Sequence, residues 1–304
     1  MEQKPLVSVV VLAYNSARFI RDTLESVLAQ EYGPIELIVA DDASSDDTVF
    51  IVEGWLSAHG SRFVSARLVR NRVNLGISGS CNNALRYLTG AWLKLIAADD
   101  VLLPGCIGDH VDNALLHPGT AVFFSRMETM DEQGRVTGEY FYPEAFFGYP
   151  VGRQIQCLLH QNCLPAPSAF IRMTDLKDAG SFDEAYPLLE DLPLWIKMLR
   201  QNRRFGGLNK LTVRYRVHHS LVYPVIGKRN ERYRQAIDDF NRTVRVPLAR
   251  RLSPLLYATV KIDLAVDAVV QRPWLCRAVL PLLWIWAKCS PYRVKSHINY
   301  RKMN

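Results

Sequence analysis

Two apolar runs in this chain end in paired carboxylates. "IELIVA" (35–40) runs into Asp41 and Asp42, with Asp46 and Asp47 close behind, and "WLKLIAA" (92–98) runs into Asp99 and Asp100. Carboxylates brought together repel unless a cation or a hydrogen-bond donor stands between them. Hard oxygen ligands suit Mg2+ or Mn2+, and such an ion keeps coordination positions open for substrate phosphates. The expected chemistry is a divalent metal holding a nucleotide diphosphate. Asp46 and Asp47 have a simpler reading: "SSDDT" opens a helix, where acids favour the positive dipole end and Ser44 or Ser45 can cap.

The elements that must position these acids follow from hydrophobic pattern. Continuous β-branched runs at 6–13, 35–40, 66–70 and 92–98 alternate with helix-like stretches at 17–29, 46–58 and 79–89. That alternation is how a parallel sheet covered on both faces is written, so the fold class is α/β with right-handed crossovers. Ligands of such sheets lie beyond the carboxyl ends of the strands, where Asp41, Asp42, Asp99, Asp100, Tyr14 and Asn15 all fall. After Pro104 the pattern predicts a helix (105–116), a hairpin from "AVFFSRM" through "DEQG" to "RVTGEYF", a helix near 152–161, and a short strand "SAFIRM". A helix beginning near Glu190 and a last strand "LTVRYRVHHS" follow, and from about 229 the chain reads as helical.

Composition narrows the class. The 304 residues are 49% hydrophobic and 22% charged, which describes a globular protein with a full core. The opening residues show no basic and apolar leader pattern, so a cytoplasmic location is expected. Six cysteines without disulfide spacing read as reduced core thiols. The net charge of +7 conceals an asymmetry: residues 1–200 hold 16 Lys+Arg against 25 Asp+Glu, whereas residues 201–304 hold 21 against 5. The basic third calls for an anionic partner. "WLCRAVLPLLWIWA" (274–287) is too short and too interrupted to span a bilayer, but its tryptophans beside Lys288, Arg293 and Lys295 fit an interfacial helix on an anionic membrane. A buried tail helix is the bland alternative.

The blocks "VSVVVLAYNSARFIRDTLESVLAQEY", "ELIVADDASSDDT", "NLGISGSCNNAL", "AADDVLLP" and "FDEAYPLLEDLPLWIKM" resemble, in order and rough spacing, the family-2 glycosyltransferases, inverting enzymes of the GT-A fold. The resemblance covers about residues 6–220. It implies a mostly parallel central sheet flanked by helices, a nucleotide-diphosphate sugar donor, a divalent metal (Mg2+ or Mn2+), and transfer to a hydroxyl with inversion. It also implies a catalytic domain over 1–220, with a donor half (1–104) and an acceptor half (105–220), followed by a basic helical region (221–304). By the same resemblance Tyr14 lies against the donor base with Ala13 and Asn15 bordering the nucleotide. Asp41 and Asp42 contact base and ribose, and Asp99 and Asp100 end the metal-binding block, with Asp99 also counted among the donor contacts. Family members often read Asp-Ala-Asp-Asp there, and this chain has Ala97 in place of the first acid. Glu190 and Asp191 match the pair whose second member removes the acceptor proton, a task the poor nucleophilicity of a sugar hydroxyl demands. Arg216 and His218 match a late block with roles in phosphate contact or as a further metal ligand. Arg70, Arg72, Asn74, Gly76 and Asn82 or Asn83 fit the donor-binding loop and helix start.

Residues outside these blocks carry weaker signals. Cys157, His160 and Cys163 recur every third residue, but no fourth zinc ligand is near, so core thiols are expected. Lys94, inside an apolar strand, is either a buried partner for a carboxylate or a lysine whose stem snorkels out. Three functions compete. The leading one is a transferase acting on a glycan or polyprenyl-linked acceptor, as in bacterial surface-polysaccharide or lipopolysaccharide assembly, from the inner face of the cytoplasmic membrane. The second is a non-catalytic nucleotide-sugar-binding protein of the same fold, motivated by Ala97. A nucleic-acid binder is disfavoured, because no recognition motif accompanies the basic third.

Overall fold

The computed structural model describes residues 4–217, 231–270 and 298–300. The chain divides into two compact units, one of residues 1–142, 164–217 and 297–304, the other of 143–163 and 218–296.

The first unit is built on one mixed sheet. It opens with β1 (Val7–Ala13), α1 (Ile20–Leu28), β2 (Ile35–Asp41), α2 (Thr48–His59), β3 (Ser65–Arg70), α3 (Gly76–Leu85) and β4 (Trp92–Ala97). These four strands are parallel and lie in the order β4-β1-β2-β3, with Ala13 level with Asp41, Asp41 with Arg70, and Leu12 with Ala97. The carboxyl ends of β1, β2 and β4 are therefore flush, which brings the loops that follow them to one edge. Every residue of β2 is buried, and so is all of β1 apart from Leu12. Strands that bury both faces cannot alternate polar with apolar, which is why their sequences run without interruption. Each fully buried Val, Leu or Ile contributes about 1.5–3 kcal/mol.

The unit continues through β5 (Val101–Leu102), α4 (Cys106–Leu116), β6 (Thr120–Met130) and β7 (Val136–Tyr140). After residue 163 it resumes with β8 (Ala169–Arg172), α7 (Met173–Asp178), α8 (Asp191–Arg200) and β9 (Arg204–Arg216); the helices α5 (Glu144–Phe147) and α6 (Val151–His160) belong to the second unit. β8 joins the parallel half by running antiparallel between β4 and β6, and the expected β6–β7 hairpin turns at Asp131–Gly134. β9 is longer than its sequence signal: it lies parallel to β6 along nearly its whole length and pairs its far end with β5, just after Asp99 and Asp100. Strand β10 (Ile298–Tyr300) pairs with β7.

The second unit is helical where it is described, with α9 (Glu231–Phe240), α10 (Val246–Leu252) and α11 (Pro254–Val270) besides α5 and α6. Arg245 donates to the carbonyls of Leu159 and His160 and to Asp263, whose carboxylate also meets His160 Nδ1 at 2.7 Å. His160 is thus part of an ion-pair knot, while Cys157 and Cys163 are buried thiols pushed up by desolvation, Cys163 to about 12. No zinc cluster forms from them. No helix among the described residues is long and apolar enough to cross a membrane. The interfacial segment expected at 274–287 lies outside the described residues.

Candidate functional site

The loops after β1 and β2 are laced together. Asn15 adopts a left-handed conformation (φ 49°), as does Ala43 (φ 63°). In that geometry Asn15 N donates to Ser44 Oγ at 2.8 Å, and Asn15 Oδ1 accepts from Ser45 N at 2.8 Å. Asp46 accepts from Ala17 N with one oxygen and from Thr48 with the other. Asp46 therefore has the structural role expected of it. The serines do not cap α2, whose N-cap makes no side-chain bond; they hold the β1 loop instead. Ala13 is buried and its carbonyl takes the Asp42 N–H at 2.8 Å. Tyr14, next along, is 41% exposed. Asp41, level with Ala13, is wholly buried; its Oδ2 accepts from Ser44 N at 3.2 Å, and its Oδ1 has no partner among the described residues. A buried carboxylate oxygen left bare costs about 1–3 kcal/mol or more, so such an atom beside an exposed aromatic is a place for a ligand N–H and a flat ring.

Asp42 is engaged differently. Its Oδ1 accepts from Asn71 Nδ2 (2.8 Å) and Leu75 N (2.8 Å), and its Oδ2 from Gly76 N (2.9 Å). Asn74 Nδ2 reaches its carbonyl at 3.3 Å. Both oxygens bond this loop, so Asp42 shapes the site. Gly76 (φ +78°) has no room for a Cβ, which would stand 2.6 Å from the Pro187 carbonyl oxygen. Asn82, expected among the donor contacts, turns to the other side: its amide bonds Phe182 N, Phe182 O and Glu184 Oε1. Arg70 and Arg72 are exposed at the end of β3. Asn71, which also accepts from Asn83, went unnoticed in the sequence because a lone Asn after a strand carries no signal.

The turn after β4 separates its two acids. Asp99 is half-buried and Asp100 has no accessible surface. Asp100 Oδ1 accepts from Arg216 N at 2.8 Å, and burial together with the Asp99 charge holds its carboxyl well above the usual range. Its Oδ2 has no partner among the described residues. Arg216 is redirected. Its guanidinium is buried, donating to the carbonyls of Asp99 (2.7 Å), Asp131 and Glu132 and to Asp22 (3.0 Å), and lying 4.5 Å over the Phe19 ring. It fastens the Asp99 turn. Lys94 is fully buried and donates to Pro167 O at 2.6 Å and Ala169 O at 3.3 Å, so its ammonium does not snorkel. Burial lowers its pKa, and the Asp100 charge opposes that shift.

A divalent ion would find few ligands ready-made. No group of three His, Cys, Asp or Glu side chains is gathered among the described residues. Ala97 offers no ligand atom and His218 lies outside the described residues, which leaves Asp99 and the bare Oδ2 of Asp100. Mg2+ characteristically takes one or two carboxylates and completes its shell with water and substrate phosphates, so these residues fit an ion that arrives with a diphosphate.

Glu190 and Asp191 stand at the start of α8. Together with Leu95 of β4, Ala169 and Ile171 of β8, Ala166, Phe182 and Trp195, they line a small cleft. Glu190 makes no capping bond, and Asp191 Oδ1 accepts from Leu192 N at 2.6 Å. Burial, aided by the Asp191 charge, pushes the Glu190 carboxyl up to about 8. Glu190 is therefore held protonated near neutral pH. Buried Trp195 fixes α8 by donating to Leu164 O and packing edge-on to Phe124 and Phe205. The buried Cys81 thiol of α3 is pushed up by burial and by the charges of Glu190 and Asp42, which puts those two acids in one neighbourhood.

Residues 8–178, more than half of the chain, match the model described as Glycosyl transferase family 2. An uncharacterized glycosyltransferase of Rickettsia felis is 27% identical over 205 residues, 64% of this chain and 32% of that one. The chain thus spans about a third of that relative's length. Among solved structures, S. aureus TarS 1-349 in complex with UDP-GlcNAc superposes with a TM-score of 0.60 at 18% identity, covering 97% of both chains. The mannosyltransferase PcManGT from Pyrobaculum calidifontis, in complex with GDP-Man and Mn2+, gives a TM-score of 0.53 at 18% identity over 96% of this chain and 83% of that one. At such identities the two structures speak to the fold.

Proposed function

The chain belongs to glycosyl transferase family 2, and from that premise we propose that it is a glycosyltransferase that moves one sugar from a nucleotide-diphosphate donor to an acceptor hydroxyl with inversion. The observation that carries this reading is the bare, buried Oδ1 of Asp41 beside exposed Tyr14, on the sheet edge that also ends at Asp99. Tyr14 takes the face of the base and Asp41 accepts its N–H, with Ala13, Asn15 and Asn74 bordering the nucleotide and Arg70 and Arg72 meeting phosphate charge. Asp99 and Asp100 would hold a divalent ion, Mg2+ or Mn2+, which when bound would offset the charge of the leaving group. Asp191 accepts the proton of the acceptor hydroxyl as it attacks the anomeric carbon from the face opposite the diphosphate, and Glu190 beside it holds its own proton.

The domain reading follows: residues 1–104 serve the donor, 105–220 the acceptor, and the basic region 221–304 rests on anionic membrane, where a polyprenyl-linked glycan would be met at the cytoplasmic face. A role in bacterial surface-polysaccharide or lipopolysaccharide assembly fits that acceptor. The test is a transfer assay across a panel of UDP, GDP and dTDP sugars with and without Mn2+. Asp191→Asn should cost about 10²–10⁴-fold in kcat, and chelation should abolish transfer. Equal activity of wild type and variant sinks the base assignment, and failure of the intact chain to float with anionic vesicles sinks the membrane reading.

A further inference from the structure

Helix α3 touches both halves of the proposed chemistry. At its first turn, Asp42 accepts the N–H groups of Leu75 and Gly76. Along its flank it grips the segment that leads into Glu190 and Asp191. Ser78 N bonds Pro187 O at 3.2 Å, Ser78 Oγ bonds Tyr186 O at 3.0 Å, and Asn82 bonds Phe182 N and O and Glu184. Gly76 meets Pro187 so closely that a methyl group would not fit. Only two residues separate Pro187 from Glu190.

We propose that α3 is a strut through which Asp42, on the donor side, fixes the position of Asp191, with Ser78 and Asn82 as positioning residues. The inference rests on the reading of Asp191 as the base. The helix is anchored at one end by an acid whose loop borders the nucleotide, and it has no slack where it meets the base-bearing segment. A shift of α3 is therefore passed on to residues 182–187 and to the base. A misplacement of about 1 Å in a catalytic group can cost on the order of 10²-fold in rate.

Steady-state kinetics of the full chain separate this role from simple support. Asn82→Ala frees the 182–184 segment without touching Asp42 or its loop. It should lower kcat about 10-fold and leave the donor KM within about twofold, the pattern of an interaction felt in the transition state alone. Asp42→Asn, which disturbs both ends, should lower kcat and raise the donor KM. The double variant should lose less in kcat than the product of the two single losses, because both act through one helix. Ser78→Ala, which removes one hydroxyl bond, supplies a milder version with kcat reduced severalfold should Asn82→Ala fold poorly. An unchanged kcat in Asn82→Ala and Ser78→Ala, a raised donor KM with kcat intact, or multiplicative losses in the double variant would each overturn the strut. If Asp191→Asn keeps full activity, the base assignment has failed; if it is inactive while Asn82→Ala is fully active, the strut alone has failed.

Discussion

Strand β2 carries one buried carboxylate near each end, and the surroundings of the two are opposite. At the amino end, Glu36 accepts from Ser8 Oγ, Thr89 N, Gly90 N and Thr89 Oγ1, so that both oxygens are satisfied. At the carboxyl end, Asp41 has one bond, to Ser44 N, and a bare Oδ1. Both side chains are equally shut away from water. The same desolvation cost is offset by the fold at one end and left open at the other, which marks off the stabilising end of the sheet from the ligand end.

The largest effect should come from the closed end. Glu36→Ala strands donors from three residues and should cost about 4 kcal/mol in urea unfolding, since each buried group left unpaired costs roughly 1–3 kcal/mol. Asp41→Ala should cost less than about 1 kcal/mol of stability but weaken nucleotide binding about 10- to 100-fold, the worth of a hydrogen bond to a charged group. If calorimetry finds the reverse pattern, the division between the two ends is wrong. The turn after β4 offers a second test, because Asp100, wholly buried like Asp41, also has a bare oxygen, its Oδ2, among the described residues. Asp99→Asn and Asp100→Asn should each reduce kcat/KM for the donor about 10-fold or more and weaken its response to Mn2+. Full activity and an unchanged Mn2+ response in either variant would remove that acid from the metal.

The smallest effect concerns Glu190. Its pKa is raised from 4.5 to about 8, so between those values the native chain holds a proton that the unfolded chain has released. Stability contributed by the protonated group is full below pH 4.5 and is lost as pH climbs toward 8. Glu190→Gln cannot ionise. Its melting temperature should match wild type near pH 4.5 and exceed it by a few degrees at pH 8; a constant difference across that range would show that Glu190 is not held protonated.

The parallel half of the fold was legible because its strands are buried on both faces and so write unbroken apolar runs; β1 to β4 begin and end within a residue or so of those runs. The edge where Asp41 and Asp99 lie followed from the same pattern. What the pattern lacks is direction. Nothing in "VRYRV" tells that Arg216 turns inward, because its partners Asp22, Asp99, Asp131 and Glu132 come from three distant segments that only the long β6–β9 pairing brings together. Asn82 and Gly76 were visible as members of a helix start, but their grip on residues 182–187 depends on a packing that spans about a third of the chain. Lys94 was ambiguous for the same reason: its acceptors are carbonyls, which have no sequence signature.

Three of the four groups that Arg216 holds with its guanidinium are carbonyl dipoles, and its side chain is 2% exposed. Dissolved ions screen exposed charges far more than dipoles sheltered from them. A wash in concentrated salt would release the arginine-rich carboxyl-terminal third from a polyanion while leaving the Asp99 turn in its shape, so purification at high ionic strength is compatible with an intact donor edge.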